Sequence, residues 1–125
     1  MNKLKDFKIK KMSPLFLMDD IKRSIEFYIK ELGFEVDFLY EDFYAGIIKN
    51  GYSIHLKVSK SSTKERKNKR NNEDIDITFS VDDIEELYEE LTNKSVEVIQ
   101  SLRDMPYGKE FYVADPDGNI IAFLK

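Results

Sequence analysis

A motif that occurs twice constrains this chain more than any bulk property. The run from Tyr107 to Phe123 reads as a β-hairpin. Lys109–Ala114 and Ile120–Leu124 are rich in aromatic and β-branched residues, and Asp115, Pro116, Asp117 and Gly118 separate them. Pro116 presets φ for the first corner of a turn, Asp117 tolerates the second, and Gly118 supplies a positive φ. A looser copy runs from Asp42 to Leu56, with the same acid–Phe–Tyr opening and a glycine before an apolar strand. Glu110 lies 68 residues after Asp42, and Gly118 lies 67 after Gly51. Offsets this constant over a whole hairpin indicate a duplicated unit.

The units extend upstream of their hairpins. Lys8–Leu17 reads as a strand interrupted at Pro14, which cannot donate to a ladder. Met18, Asp19, Asp20 and Ile21 open a helix: Asp19 or Asp20 can accept from first-turn N–H groups, and Ile21, Ile25, Tyr28 and Leu32 form one stripe. Gly33 is placed to stop it. Three strands follow, Glu35–Tyr40, Phe43–Lys49 and Tyr52–Val58, with Asn50-Gly51 as a tight turn. After residues 59–72 the pattern restarts. Ile75, Ile77, Phe79 and Val81 alternate with Asp76, Thr78 and Ser80, as in a half-buried strand. Val81–Ile84 repeats Met18–Ile21, with Asp82 and Glu85 spaced as a capping box. Ile84, Leu87, Tyr88 and Leu91 form the second helix stripe. A strand at Val96–Val98, a loop at Arg103–Gly108 and the final hairpin complete the unit. The expected architecture is α+β: two tandem βαβββ modules, about 8–58 and 73–125, in a single domain spanning 1–125. Together they make a curved eight-stranded mixed sheet with helices outside and a concave cleft.

Residues 59–72 carry Lys60, Lys64, Arg66, Lys67, Lys69 and Arg70 and no large apolar side chain. They read as a basic, solvated linker, with an anion-attracting arm over a ligand site as the alternative.

Composition removes several function classes. The chain has no cysteine, so it has no disulfide, thiolate zinc site or cysteine nucleophile, and it suits a reducing cytoplasm. Its net charge of −4 argues against a dedicated nucleic-acid binder. No apolar run reaches membrane-spanning length, and the lysine-rich start lacks the apolar core of a secretory signal. The expected partners are a small molecule and a second copy of the chain, with no nucleic acid and no membrane.

The run Asp20–Phe34 resembles the first-helix signature of the vicinal oxygen chelate superfamily, and Asp115–Asn119 resembles its closing hairpin. That superfamily holds glyoxalases, extradiol dioxygenases, fosfomycin-resistance enzymes and bleomycin-resistance proteins. Asp104–Tyr112 is most similar to the bleomycin-resistance branch, which implies a homodimer that sequesters its ligand in clefts between chains. Metal-using members take four ligands from the strands, and the equivalent positions here hold Ser13, His55, Asp76 and Ala122. Ala122 cannot bind a metal and Ser13 is a poor ligand, so the resemblance implies no metal, no other cofactor and no catalytic residue.

His55 is the only histidine, so two-histidine metal chemistry cannot form within one chain. It and Asp76 are expected to line the cleft as a weakly acidic patch suited to a cation. Tyr40, Tyr44, Tyr107 and Tyr112 are the aromatic candidates for ligand contact. The expectation is a binder of an aromatic, cationic, antibiotic-like compound. The alternatives are a metal-dependent lyase or dioxygenase with an altered site, and a structural or protein-interaction module.

Overall fold

The computed structural model describes residues 6–59 and 74–125. The first module contains β1 (Leu15–Met18), α1 (Ile21–Lys30), β2 (Glu35–Tyr40), β3 (Tyr44–Lys49) and β4 (Tyr52–Val58). The second contains β5 (Ile77–Ser80), α2 (Ile84–Thr92), β6 (Glu97–Met105), β7 (Gly108–Ala114) and β8 (Ile120–Leu124). The eight strands pair as two four-stranded mixed sheets of identical topology, β1-β4-β3-β2 and β5-β8-β7-β6. In each, the first strand runs parallel to the last and the other pairs are antiparallel. The duplication is therefore a duplication of sheets. The basic linker lies outside the described residues except for Ser59.

Local chemistry explains most boundaries. Asp20 caps α1, its Oδ1 accepting from Lys22 N at 3.1 Å and Arg23 N at 3.3 Å. Gly33, at φ +74°, ends it: Gly33 N donates to Ile29 O and Phe34 N reaches back to Tyr28 O. Asn50 and Gly51 both take positive φ, 54° and 84°, as a type I′ hairpin turn requires. Gly118 sits at φ +86° and its N–H donates to Asp115 O at 3.0 Å.

Three boundaries differ from expectation. β1 begins at Leu15 rather than Lys8, immediately after Pro14, which has no N–H to extend the ladder. The α2 cap residue is Asp83, not Asp82, and it makes no side-chain capping bond; Glu85 and Glu86 place negative charge in the first turn instead. Arg103–Met105 belongs to β6, not to a loop. Arg103 pairs with Glu110, Asp104 with Lys109 and Met105 with Gly108, leaving only Pro106 and Tyr107 to turn the chain. Opposite charges facing across the two strands favour that extension.

Strand alternation divides each sheet between two environments. Phe16, Met18, Ala45, Ile47, Ile54 and Leu56 from the first sheet share one core with Phe111, Val113, Ile121 and Phe123 from the second. Aromatic contacts run through it: Tyr28 meets Phe34 edge-on at 5.8 Å, Phe34 approaches Phe79 at 6.2 Å, and Phe111 stacks on Phe123 at 4.9 Å. The opposite faces are left for other uses. On the second sheet that face carries a small buried cluster of Tyr112, Ile120 and Ala122, with Ile99 against it.

Candidate functional site

The face of the first sheet opposite the core is aromatic and accessible. Gly46 pairs with both Phe38 and His55, so three strands meet at a residue with no side chain. The Phe38 ring occupies the space above it: a Cβ on Gly46 would come within 2.2 Å of the ring. Phe38 stacks with Tyr44 at 6.0 Å and meets His55 edge-on at 5.3 Å. His55 Nδ1 and Tyr44 Oη lie 2.8 Å apart in a hydrogen bond that orients the imidazole. Leu15 and Leu17 on β1 are 48% and 42% exposed, and every residue of β2 is exposed. The result is an open aromatic wall with one imidazole set into it.

The second sheet carries a polar counterpart that sequence reasoning missed. Glu110 is 1% exposed and accepts from four donors. Tyr107 Oη donates to Oε1, while Oε2 accepts from Arg103 Nε at 2.8 Å and Tyr112 Oη at 2.9 Å, with Arg103 Nη2 at 2.5 Å. The Arg103 guanidinium also lies 5.6 Å from the Tyr112 ring centroid. Burial alone would raise the Glu110 pKa. The bonds from Tyr107, Arg103 and Tyr112 outweigh that and hold it below the usual carboxylate range. The hydrogen bond to Glu110 raises the Tyr107 phenol, and burial raises Tyr112. The available sequence signal was a glutamate directly before the apolar run Phe111–Ala114, seven residues after an arginine.

The predicted residues thus fall into groups. Tyr44 and His55 are brought together, and so are Tyr107 and Tyr112 through Glu110. Tyr40 is 62% exposed on β2 and packs edge-on to Phe43, outside both groups. His55 stands on the first sheet, whereas Asp76 leads into the second. Asp76 Oδ2 accepts from Ile120 N at 2.7 Å while its own N–H donates to Ile120 O at 2.8 Å.

Of the four positions that the resemblance aligns with metal ligands, only His55 and Asp76 carry metal-binding side chains, fewer than a tight site needs. The Ser13 hydroxyl bonds Ser53 Oγ, His55 Nδ1 is taken by a phenol, the Asp76 carboxylate bonds a backbone N–H, and Ala122 is a buried methyl. Among the described residues no group of three or more His, Cys, Asp or Glu could hold a metal ion. None of their helices is long and apolar enough to cross a membrane.

The family model described as Glyoxalase/Bleomycin resistance protein/Dioxygenase superfamily matches residues 14–123. Among solved structures, UcmS2 superposes with a TM-score of 0.75 at 18% identity, covering 94% of this chain and 98% of its own. The bleomycin-binding protein of bleomycin-producing Streptomyces verticillus, solved with copper(II)-bleomycin, gives 0.68 at 23% identity, covering 95% and 98%. TnmS3, an antibiotic-binding protein from Streptomyces sp. CB03234, gives 0.63 at 17% identity, covering 94% and 98%. No curated protein matches this sequence significantly.

Proposed function

Because this chain belongs to the glyoxalase/bleomycin resistance protein/dioxygenase superfamily, and only His55 and Asp76 of its four ligand positions carry metal-binding side chains, we propose that it sequesters an aromatic small molecule without transforming it. The observation that carries this reading is the accessible Phe38–Tyr44–His55 wall. Stacking on such rings contributes about 1 kcal/mol per pair, so a flat ligand spanning several gains useful affinity. Two structural neighbours, the bleomycin-binding protein and TnmS3, bind antibiotics by description and support the same class of ligand. His55 offers the wall a hydrogen-bonding group, and Tyr107 offers a further exposed ring.

The working form is a homodimer in the cytoplasm. Leu15, Leu17 and Tyr40 leave an apolar surface beside the wall, and a second copy laid over it would close an open face into a cleft. The Arg103–Glu110–Tyr112 group belongs to the same cleft, facing the wall across the dimer.

The test is a titration of the full chain with metal-free bleomycin and with simple aromatic cations, followed by tyrosine fluorescence and by the ring signals of the single histidine. Saturable binding that moves His55 and returns the ligand intact supports the reading. Binding that leaves His55 unperturbed, or a monomer by light scattering at micromolar concentration, contradicts it.

A further inference from the structure

A cavity of about 650 Å3 lies between the C-terminal end of α1, the β3–β4 turn, β5 and α2. Phe38, Tyr44 and His55 are not among its lining residues. Its size falls within the roughly 300–1,000 Å3 of small-molecule sites. Phe34, Phe79, Leu91 and Phe123 give it an apolar wall contributed by both modules. Glu31, which also lines it, keeps Oε2 buried with no hydrogen-bond partner. Buried acceptors are rarely left without a donor.

The neighbouring lysines do not supply that donor. Lys30 Nζ bonds Glu26 at 2.6 Å, Lys49 Nζ points to Gly33 O at 3.4 Å, and Lys94 Nζ lies 3.3 and 3.4 Å from the carbonyls of Lys30 and Glu31. Of the three, Lys94 closes carbonyls at the C-terminal end of α1 and Lys49 that of Gly33 just beyond it. Lys30 is already paired with Glu26 and Lys94 with Glu90 at 3.9 Å, so the lining's charged groups are largely matched. A cationic ligand would lose its hydration against Phe34, Phe79, Leu91 and Phe123, so a neutral donor suits this wall better.

We propose that this cavity is a small-molecule site separate from the aromatic wall. It takes a compact apolar or aromatic molecule with one neutral hydrogen-bond donor, a hydroxyl or amide N–H, and Glu31 Oε2 accepts that bond. The proposal does not depend on the function assigned to the wall.

The test uses isotope-labelled full-length protein and two matched probes: 1-naphthol, which carries the donor, and 1-methoxynaphthalene, which does not. The expected result is that 1-naphthol shifts the backbone signals of Gly33 and Thr78–Val81, independently of any shift of the His55 ring, and saturates these shifts about tenfold more tightly than its ether, as a hydrogen bond to a carboxylate acceptor implies. Glu31→Met removes that preference. Ser80→Trp, at an exposed lining position, fills the cavity and abolishes the naphthol shifts. Equal binding of the two probes to the natural protein, shifts at His55 alone, or no binding up to the solubility of 1-naphthol would each overturn the proposal.

Discussion

At the scale of single residues, Glu110 is the most consequential side chain in the second sheet. It is nearly inaccessible, yet Tyr107, Tyr112 and Arg103 together supply donors to both oxygens. Glu110→Gln keeps the volume but turns one acceptor into a donor facing other donors. We expect a loss of about 2–3 kcal/mol in equilibrium denaturation. The same residue predicts a pH dependence. A carboxyl whose folded pKa is depressed contributes stability that is present above its unfolded pKa and lost as pH falls through the folded one. The natural protein should therefore lose stability progressively below about pH 4.3, the ordinary glutamate value. The Glu110→Gln variant should show a shallower acid limb. Parallel limbs for the two proteins would remove Glu110 from that account. Tyr107 and Tyr112 were identified from the sequence, but their link through Glu110 and Arg103 was not, because these residues meet only once the β6–β7 register sets Arg103 opposite Glu110.

At the scale of elements, much was legible where one residue type settles the geometry. The limits of β2 and β4, the Asn50-Gly51 turn and the Gly33 stop follow from alternation and from positive φ. The α2 cap was misplaced by one residue because Asp82 and Asp83 are adjacent and chemically equal, and the helix uses neither side chain as a cap. The end of β6 was missed because Pro106 and Gly108 look like loop residues, although only two residues are needed to turn the chain. His55 was identified from the sequence, but its setting was not: the wall depends on Gly46 leaving room for the Phe38 ring over β3. Gly46→Ala should push the exposed Phe38 ring aside, because a Cβ would overlap its edge. The ring can move into solvent, so the stability change should stay within about 1 kcal/mol. Binding at the wall should weaken by roughly tenfold, the worth of one or two aromatic contacts. Unchanged affinity would place the ligand elsewhere.

At the scale of the whole molecule, the turn of the last hairpin ties the second module to the first. Asp117, 4% exposed, accepts from Asp19 N at 2.9 Å, Arg23 Nη2 at 2.9 Å and Ser24 Oγ at 2.7 Å. Asp115 accepts from Tyr28 Oη at 2.7 Å, and Asn119 Nδ2 donates to Leu17 O at 3.2 Å. The Asp-Pro-Asp-Gly motif, legible as a turn, is thus also a clasp on α1, a role that no local reading could supply. Asp117→Ala leaves three donors without their partner and should cost roughly 2–4 kcal/mol of unfolding free energy, read by chemical denaturation. A change under about 0.5 kcal/mol would show that the shared apolar core alone holds the modules together. The central claim concerns what this assembled molecule does to a ligand. The most direct measurement is mass analysis of the aromatic probe recovered after prolonged incubation with the purified protein, first without metal and then with Zn, Ni, Mn or Fe supplied. The account predicts saturable uptake and a chemically unchanged probe under every condition. Turnover that appears on adding one of these metals would contradict it.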